Sequence, residues 1–210
     1  LHKNFGGIRA LSGCSLEIAR GKITAVIGPN GSGKSTMFDL ISALTGKDSG
    51  RVYFDSRDIS KLKDFDIARL GISRTFQDVR LFKNLTIKDH FDVVFDNENE
   101  ELLKSLFRRT EDDIGKIKNV LELVGLDKPL GTYATDLSYG QRKLLDLAVA
   151  VAKPHLLLML DEPVAGVNPA LREKIKAVLR KLNEEGETIL LIEHDMNFVM
   201  NLADFIYVLD

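Results

Sequence analysis

Nine consecutive residues, Gly28-Pro29-Asn30-Gly31-Ser32-Gly33-Lys34-Ser35-Thr36, restrict what this chain can fold into more than any other stretch. They match Gly-x4-Gly-Lys-Ser/Thr, a loop that works only between a buried strand and the first turn of a helix. Both flanks have that character. Ile23 to Ile27 is apolar and β-branched, as a strand covered on both faces should be. After Gly33 the pattern turns helical through Leu44, with Gly46 placed to end it. In such a loop the glycines let the N–H groups of Asn30, Gly31, Ser32 and Gly33 crowd around a phosphate, and the helix start at Ser35 and Thr36 adds positive potential. Lys34 reaches the β- and γ-oxygens, and the Ser35 hydroxyl serves Mg²⁺. The expected ligand is an anionic nucleotide, ATP with Mg²⁺; the bland alternative is a glycine turn with an incidental lysine.

The rest of the chain supplies strands and helices in alternation, which predicts an α/β fold with a mostly parallel sheet. Buried strands are expected at His155 to Leu160, Thr188 to Ile192 and Phe205 to Leu209. Ahead of the loop, Gly6-Gly7 reads as a turn, and Leu16 and Ile18 alternate with polar neighbours, which predicts antiparallel pairing of Cys14 to Ile18. Arg51 to Phe54 reads as a short strand before a turn, and Asp64 to Leu70 as a helix closed by Gly71. From about 78 to 137 strand signals fade and Ile114, Ile117, Val120, Leu121 and Val124 fall at helical spacing. This predicts a helical subdomain inserted into a core of 1–77 and 138–210. Gln141 to Ala152 reads as a helix, and another begins at Pro169 with Asn168 as its cap and Gly186 as its stop. At 210 residues and 44% hydrophobic, the chain supports one domain with such an insertion.

Charge and cysteine content exclude several classes. With 29 Lys+Arg against 31 Asp+Glu, there is no basic surplus for a nucleic-acid partner. The single Cys14 rules out an internal disulfide and a cysteine metal site, and reads as a small, buried hydrophobe. No apolar run approaches the roughly 18 residues that span a bilayer, so work at a membrane requires a partner. The chain opens on Leu1 and stops just after a strand-like stretch, and is expected to be trimmed at both ends.

Leu156 to Leu160 delivers Asp161-Glu162 at the edge of a parallel sheet where ligands bind. Beside a phosphate loop, Asp161 is suited to holding Mg²⁺ and Glu162 to deprotonating the attacking water. Alone, the pair would be an acidic turn at a strand end.

Leu137-Ser138-Tyr139-Gly140-Gln141, between the loop and the acidic strand, resembles the signature motif of ABC proteins. As plain chemistry it is a capped helix start whose Ser138 and Gly140 suit a phosphate. The resemblance covers essentially the whole chain, in the family's motif order. It implies a P-loop NTPase core with an N-terminal antiparallel β subdomain and an inserted α-helical subdomain. It implies a dimer in which Ser138, Gly140 and Gln141 face the γ-phosphate held by the other subunit. Further roles are implied position by position. Gln77 resembles the Q-loop glutamine that contacts Mg²⁺ or the water, and His194 the switch histidine that positions Glu162. Ala165-Gly166-Val167-Asn168 resembles the D-loop at the dimer interface. Phe5 resembles the aromatic residue that stacks on adenine, with a core aromatic as the alternative. His2, His90 and His155 carry only the reading of satisfied polar residues.

Arg74-Thr75-Phe76-Gln77-Asp78-Val79-Arg80-Leu81-Phe82, Tyr139 in the signature, Ala-Gly-Val-Asn-Pro after Glu162, and Ile192-Glu193-His194-Asp195-Met196 are similar to the ATPase subunits of branched-chain amino acid importers. Tyr139 and Asn168 depart from the commoner glycine and aspartate. The resemblance implies an ATPase at the inner face of the cell membrane, with permease subunits as partners and a substrate-binding protein as an indirect one. Leu81 and Phe82 either receive a cytoplasmic permease helix or belong to the core of the helical lobe. Rivals are ATPases of urea or lipopolysaccharide transporters, a soluble ABC protein, and a nucleotide sensor that does not hydrolyse.

Overall fold

The computed structural model describes residues 1–95 and 111–210. The predicted helical subdomain therefore lies partly outside the described residues, at 96–110. The described chain divides into two compact units: residues 1–74, 155–162 and 182–210 in the first, and residues 75–154 and 163–181 in the second. The second takes in the segment expected to be helical and also the helix that follows the signature residues.

The first unit is built on a five-stranded sheet of β3 (Ile23–Ile27), β6 (Ile72–Arg74), β7 (Leu157–Asp161), β8 (Ile189–Ile192) and β9 (Phe205–Val208), in the order β6-β7-β8-β3-β9. All four pairings are parallel. Every residue of β7 and β8 is buried, as central strands of a sheet covered on both faces must be. Asp161 stands opposite Ile192, and Ile192 opposite Val26, so the C-terminal ends of β7, β8 and β3 lie side by side. β6 is absent from the sequence reading; Ile-Ser-Arg is too short and too polar to carry a periodic signal.

Helix α1 (Lys34–Ile41) packs Met37, Phe38 and Leu40 into a core with Val26, Met159, Leu190 and Ile192. It stops before the expected Leu44. Ser42 Oγ donates back to the Phe38 carbonyl at 2.9 Å and Ala43 adopts φ 55, so the turn is made without Gly46. Helix α2 (Asp64–Arg69) ends before Gly71, as predicted.

Two antiparallel hairpins complete this unit: β1 (Lys3–Phe5) with β2 (Ile8–Leu11), and β4 (Tyr53–Phe54) with β5 (Arg57–Asp58). The predicted strand at Cys14 to Ile18 is corrected, since that segment joins no sheet. Leu16 and Ile18 do pack on the core. The alternation records one buried face, which an extended segment shares with a strand. Its backbone is held by Tyr207 instead: the Glu17 N–H donates to the phenol oxygen at 3.2 Å, and the phenol donates to the Glu17 carbonyl at 3.0 Å.

In the second unit α3 (Ile87–Phe95) and α4 (Glu111–Val124) pack against α5 (Tyr139–Val151). Ile87, Phe91, Ile117, Leu121, Val124, Leu144, Leu145 and Ala148 are buried there; of the five residues read at helical spacing, Ile117, Leu121 and Val124 are in this set, while Ile114 and Val120 are half-buried. Helix α6 (Pro169–Glu184) begins in this unit, where Asn168 Oδ1 accepts from the Leu171 N–H at 2.9 Å and so caps it as expected. A short helix, α7 (Met196–Met200), is capped by Asp195 in the first unit.

Candidate functional site

In the first unit the loop from Gly28 to Gly33 connects β3 to α1. Gly33 holds φ 92, and a Cβ there would collide with the Ala10 carbonyl oxygen, so only glycine allows the helix to start so close to β2. The N-terminus of α1 has no side-chain cap, which leaves its first N–H groups to a ligand. Ser32 Oγ is buried and has no hydrogen-bond partner among the described residues, a group that a phosphate oxygen would satisfy. Lys34 is buried, and its ammonium donates to the carbonyls of Gly28 at 2.9 Å and Pro29 at 2.8 Å. Burial pulls the Lys34 pKa below its ordinary value, while the Glu162 and Asp161 carboxylates pull it back up. Asn30, Gly31 and Ser35 are exposed. The cradle fits a polyphosphate.

Asp161 ends β7, is buried, and lies 3.7 Å from Arg74 Nη2. The same guanidinium reaches Asp39 at 2.8 Å and Ser42 Oγ at 2.7 Å, which ties the end of β7 to α1. Sequence reasoning assigned Arg74 no role here, because its partners are distant along the chain. Ser35 and Asp161 offer hard oxygen donors, the set suited to a Mg²⁺ that keeps waters and shares phosphate oxygens. Among the described residues no group of three or more His, Cys, Asp or Glu could cage an ion, and a cation arriving with a nucleotide needs no such cage.

Glu162 sits at φ 48, a left-handed conformation rarely adopted by a residue with a side chain. Its N–H is fixed by the Ile192 carbonyl at 3.0 Å. His194 Nε2 lies 2.7 Å from Glu162 Oε1, so this nitrogen carries the proton and the carboxylate accepts it. The backbone around His194 is held by buried Glu193, whose carboxylate accepts from the N–H groups of His194 at 3.1 Å and Asp195 at 3.4 Å. The predicted partnership of Glu162 and His194 is therefore present as a direct contact.

The remaining polar candidates belong to the second unit. Gln77 is exposed, and its carbonyl accepts from Lys143 Nζ at 2.9 Å. Ser138 caps α5 in a reciprocal arrangement: its Oγ accepts from the Gln141 N–H at 3.3 Å, and Gln141 Oε1 accepts from the Ser138 N–H at 2.9 Å. Gln141 thus spends its oxygen on the cap, while the Ser138 hydroxyl proton is still available to an anion.

Phe5, in the first unit, is 47% exposed, with Lys3 Nζ 4.9 Å from its ring centroid, and is not a core aromatic. In the second unit Phe82 is also exposed, at 60%, whereas Leu81 is half-buried. The Phe82 N–H donates to His90 Nε2 at 3.0 Å, and His90 Nδ1 pairs with the Thr86 carbonyl at 2.7 Å. His155 pairs with Glu187 at 2.6 Å, and His2 Nδ1 accepts from the Gly13 N–H at 3.2 Å. These three histidines are satisfied polar residues, as read.

A family profile described as ABC transporter matches residues 11–165. The high-affinity branched-chain amino acid transport ATP-binding protein BraF of Pseudomonas aeruginosa is 37% identical over 218 residues, covering 100% of this chain and 86% of that protein. Among solved structures, a nucleotide-free ATP-binding cassette from an ABC transporter is 35% identical, with a TM-score of 0.86 over 99% of this chain and 84% of its own. A dimeric cassette in a post-hydrolysis state, bound to ADP and Pi, is 27% identical, with a TM-score of 0.86 over 100% of this chain and 90% of its own.

Proposed function

The chain belongs to the ABC transporter family, and from that premise we propose that it is the ATP-hydrolysing subunit of a branched-chain amino acid importer, working as a pair of cassettes. The observation that carries the hydrolytic reading is the 2.7 Å contact of Glu162 with His194 beside a phosphate cradle whose lysine feels the Glu162 and Asp161 carboxylates. The 37% identity to a branched-chain amino acid transport protein, together with Tyr139 and Asn168, supports the cargo.

The residues divide the work. Lys34, Ser32 and the N–H groups from Asn30 to Thr36 bind and orient the triphosphate. Ser35 and Asp161 would hold Mg²⁺, which when bound would neutralise phosphate charge. Glu162 accepts the proton of the attacking water as its oxygen bonds to the γ-phosphorus and the bond to the β-phosphate oxygen breaks. His194 keeps that carboxylate oriented through its Nε2–H. Phe5 supplies a ring for adenine. Ser138, Gly140 and Gln141 of a second copy complete each site, so closure of the pair follows binding and reopening follows hydrolysis. The dimeric relative bound to ADP and Pi supports this arrangement.

Among the described residues no helix is long and apolar enough to cross a membrane. We assign the chain to the inner face of the membrane through permease subunits, with exposed Phe82 and neighbouring Leu81 as the contact. Replacing Cys14→Ser and Leu81→Cys, crosslinking in native membranes, and identifying the adduct by mass spectrometry tests this. A polytopic permease for branched-chain amino acids is expected. A permease for urea or lipopolysaccharide would change the cargo, and a soluble or ribosomal partner would overturn the importer reading.

A further inference from the structure

At its base the turn Ala165-Gly166 is closed by the Val167 N–H, which donates to the Val164 carbonyl at a long 3.4 Å. Val164 and Val167 are buried on either side, but Ala165 and Gly166 contribute no side chain that could anchor the tip, and Gly166 sits at φ 70. The anchor comes from the start of α5. Tyr139 Oη donates to the Ala165 carbonyl at 3.3 Å. A Cβ built on Gly166 would lie 3.3 Å from Tyr139 Cε1, 3.6 Å from its hydroxyl and 3.7 Å from Cζ, so the phenol ring lies against this glycine. Tyr139 is 42% exposed, so filling a core is not what places a large aromatic at the first residue of a helix. The adjacent Gly140 makes a second approach, since a Cβ there would lie 2.6 Å from Leu171 Cδ2 in the first turn of α6, the helix capped by Asn168.

We propose that Tyr139 is a positioning residue for the Ala165-Gly166 turn, locking it to the Ser138–Gln141 turn so that the two present one preformed surface to a second copy of the chain. The proposal rests on the reading of this protein as an ATP-driven dimer. A glycine-containing turn left free would lose conformational freedom each time two copies close, and a turn already braced by Tyr139 has lost it beforehand. The tyrosine and the Asn168 cap then belong together: one fixes the tip of the loop, and the other fixes the helix that follows.

The test uses the Glu162→Gln protein, in which hydrolysis is arrested, and measures ATP-driven dimerisation by sedimentation as protein concentration is raised. Tyr139→Ala should weaken dimerisation about tenfold or more through lost preorganisation. Tyr139→Phe, which keeps the ring on Gly166 and loses only the hydroxyl bond, should recover most of it. Melting temperature and binding of a fluorescent ATP analogue by the monomer should stay at the parent's values in both. Dimerisation of Tyr139→Ala equal to the parent's would overturn the proposal. So would a loss that merely follows a fall in melting temperature or monomer nucleotide binding, which would reduce Tyr139 to a structural role. If the parent itself fails to dimerise with ATP, the dimer reading beneath the proposal falls first, and the two failures are distinguishable.

Discussion

Asp146 lies on α5, two turns beyond the Ser138 cap, and burial pushes its pKa from 3.8 to about 6. Lys143 pulls the other way but does not restore the ordinary value; its ammonium donates to the Gln77 carbonyl. The fold therefore prefers the protonated carboxyl. Because the folded pKa is the raised one, this group's favourable contribution is complete below about 3.8, declines as pH climbs towards about 6, and is gone above that. The difference, 6 minus 3.8, is 2.2, and at about 1.36 kcal/mol for each factor of ten the charged form costs the fold about 3 kcal/mol at neutral pH. Asp146→Asn abolishes the titration while keeping the size. Allowing for burial of the amide, the variant should be about 2 kcal/mol more stable than the parent at neutral pH. The advantage should shrink as pH falls below about 6, vanish near about pH 4.5, and reverse to a deficit of about 1 kcal/mol well below the unfolded carboxylate pKa. Urea unfolding of both proteins across this range reads the difference directly, and other titrating groups cancel in the comparison. A stability difference that does not change with pH, or a variant less stable at neutral pH, would refute the reasoning.

Two further outcomes follow from the first unit. Lys34→Met should abolish ATP binding in equilibrium dialysis while leaving the melting temperature unchanged or raised, because a buried ammonium held by two carbonyls is removed; retained binding would show that the loop is not the nucleotide site. Arg74→Met should cost about 3 kcal/mol in chemical unfolding by leaving buried Asp161 without this cation, and a cost of a few tenths would show that the guanidinium does not hold the end of β7.

How much was legible in the sequence depended on whether a residue's partners lay close along the chain. The phosphate loop, Asp161-Glu162 and the Ser138 cap declare themselves because each is local: a loop between two periodic elements, two acids ending an apolar run, a hydroxyl just before a helix. His194 needed family resemblance as well, since a histidine after a strand means little until the 2.7 Å contact with Glu162 is seen. Arg74 and Tyr139 show the limit. Asp39, Asp161, Ala165 and Gly166 are brought to them by the parallel order of the sheet and the packing of α5, and no window of sequence contains both sides of those contacts. The segment Cys14 to Ile18 shows the opposite failure, in which a genuine local pattern reported burial and was read as pairing.

The most direct test of the central claim, that the protein hydrolyses ATP as a pair of cassettes, is the specific ATPase activity of the purified chain with Mg²⁺ measured against its own concentration. The account predicts activity per molecule that rises with concentration as dimers form, and that falls by about 10²–10⁴ in Glu162→Gln at every concentration. Activity per molecule that stays constant while the protein sediments as a monomer, or that survives Glu162→Gln undiminished, would contradict it.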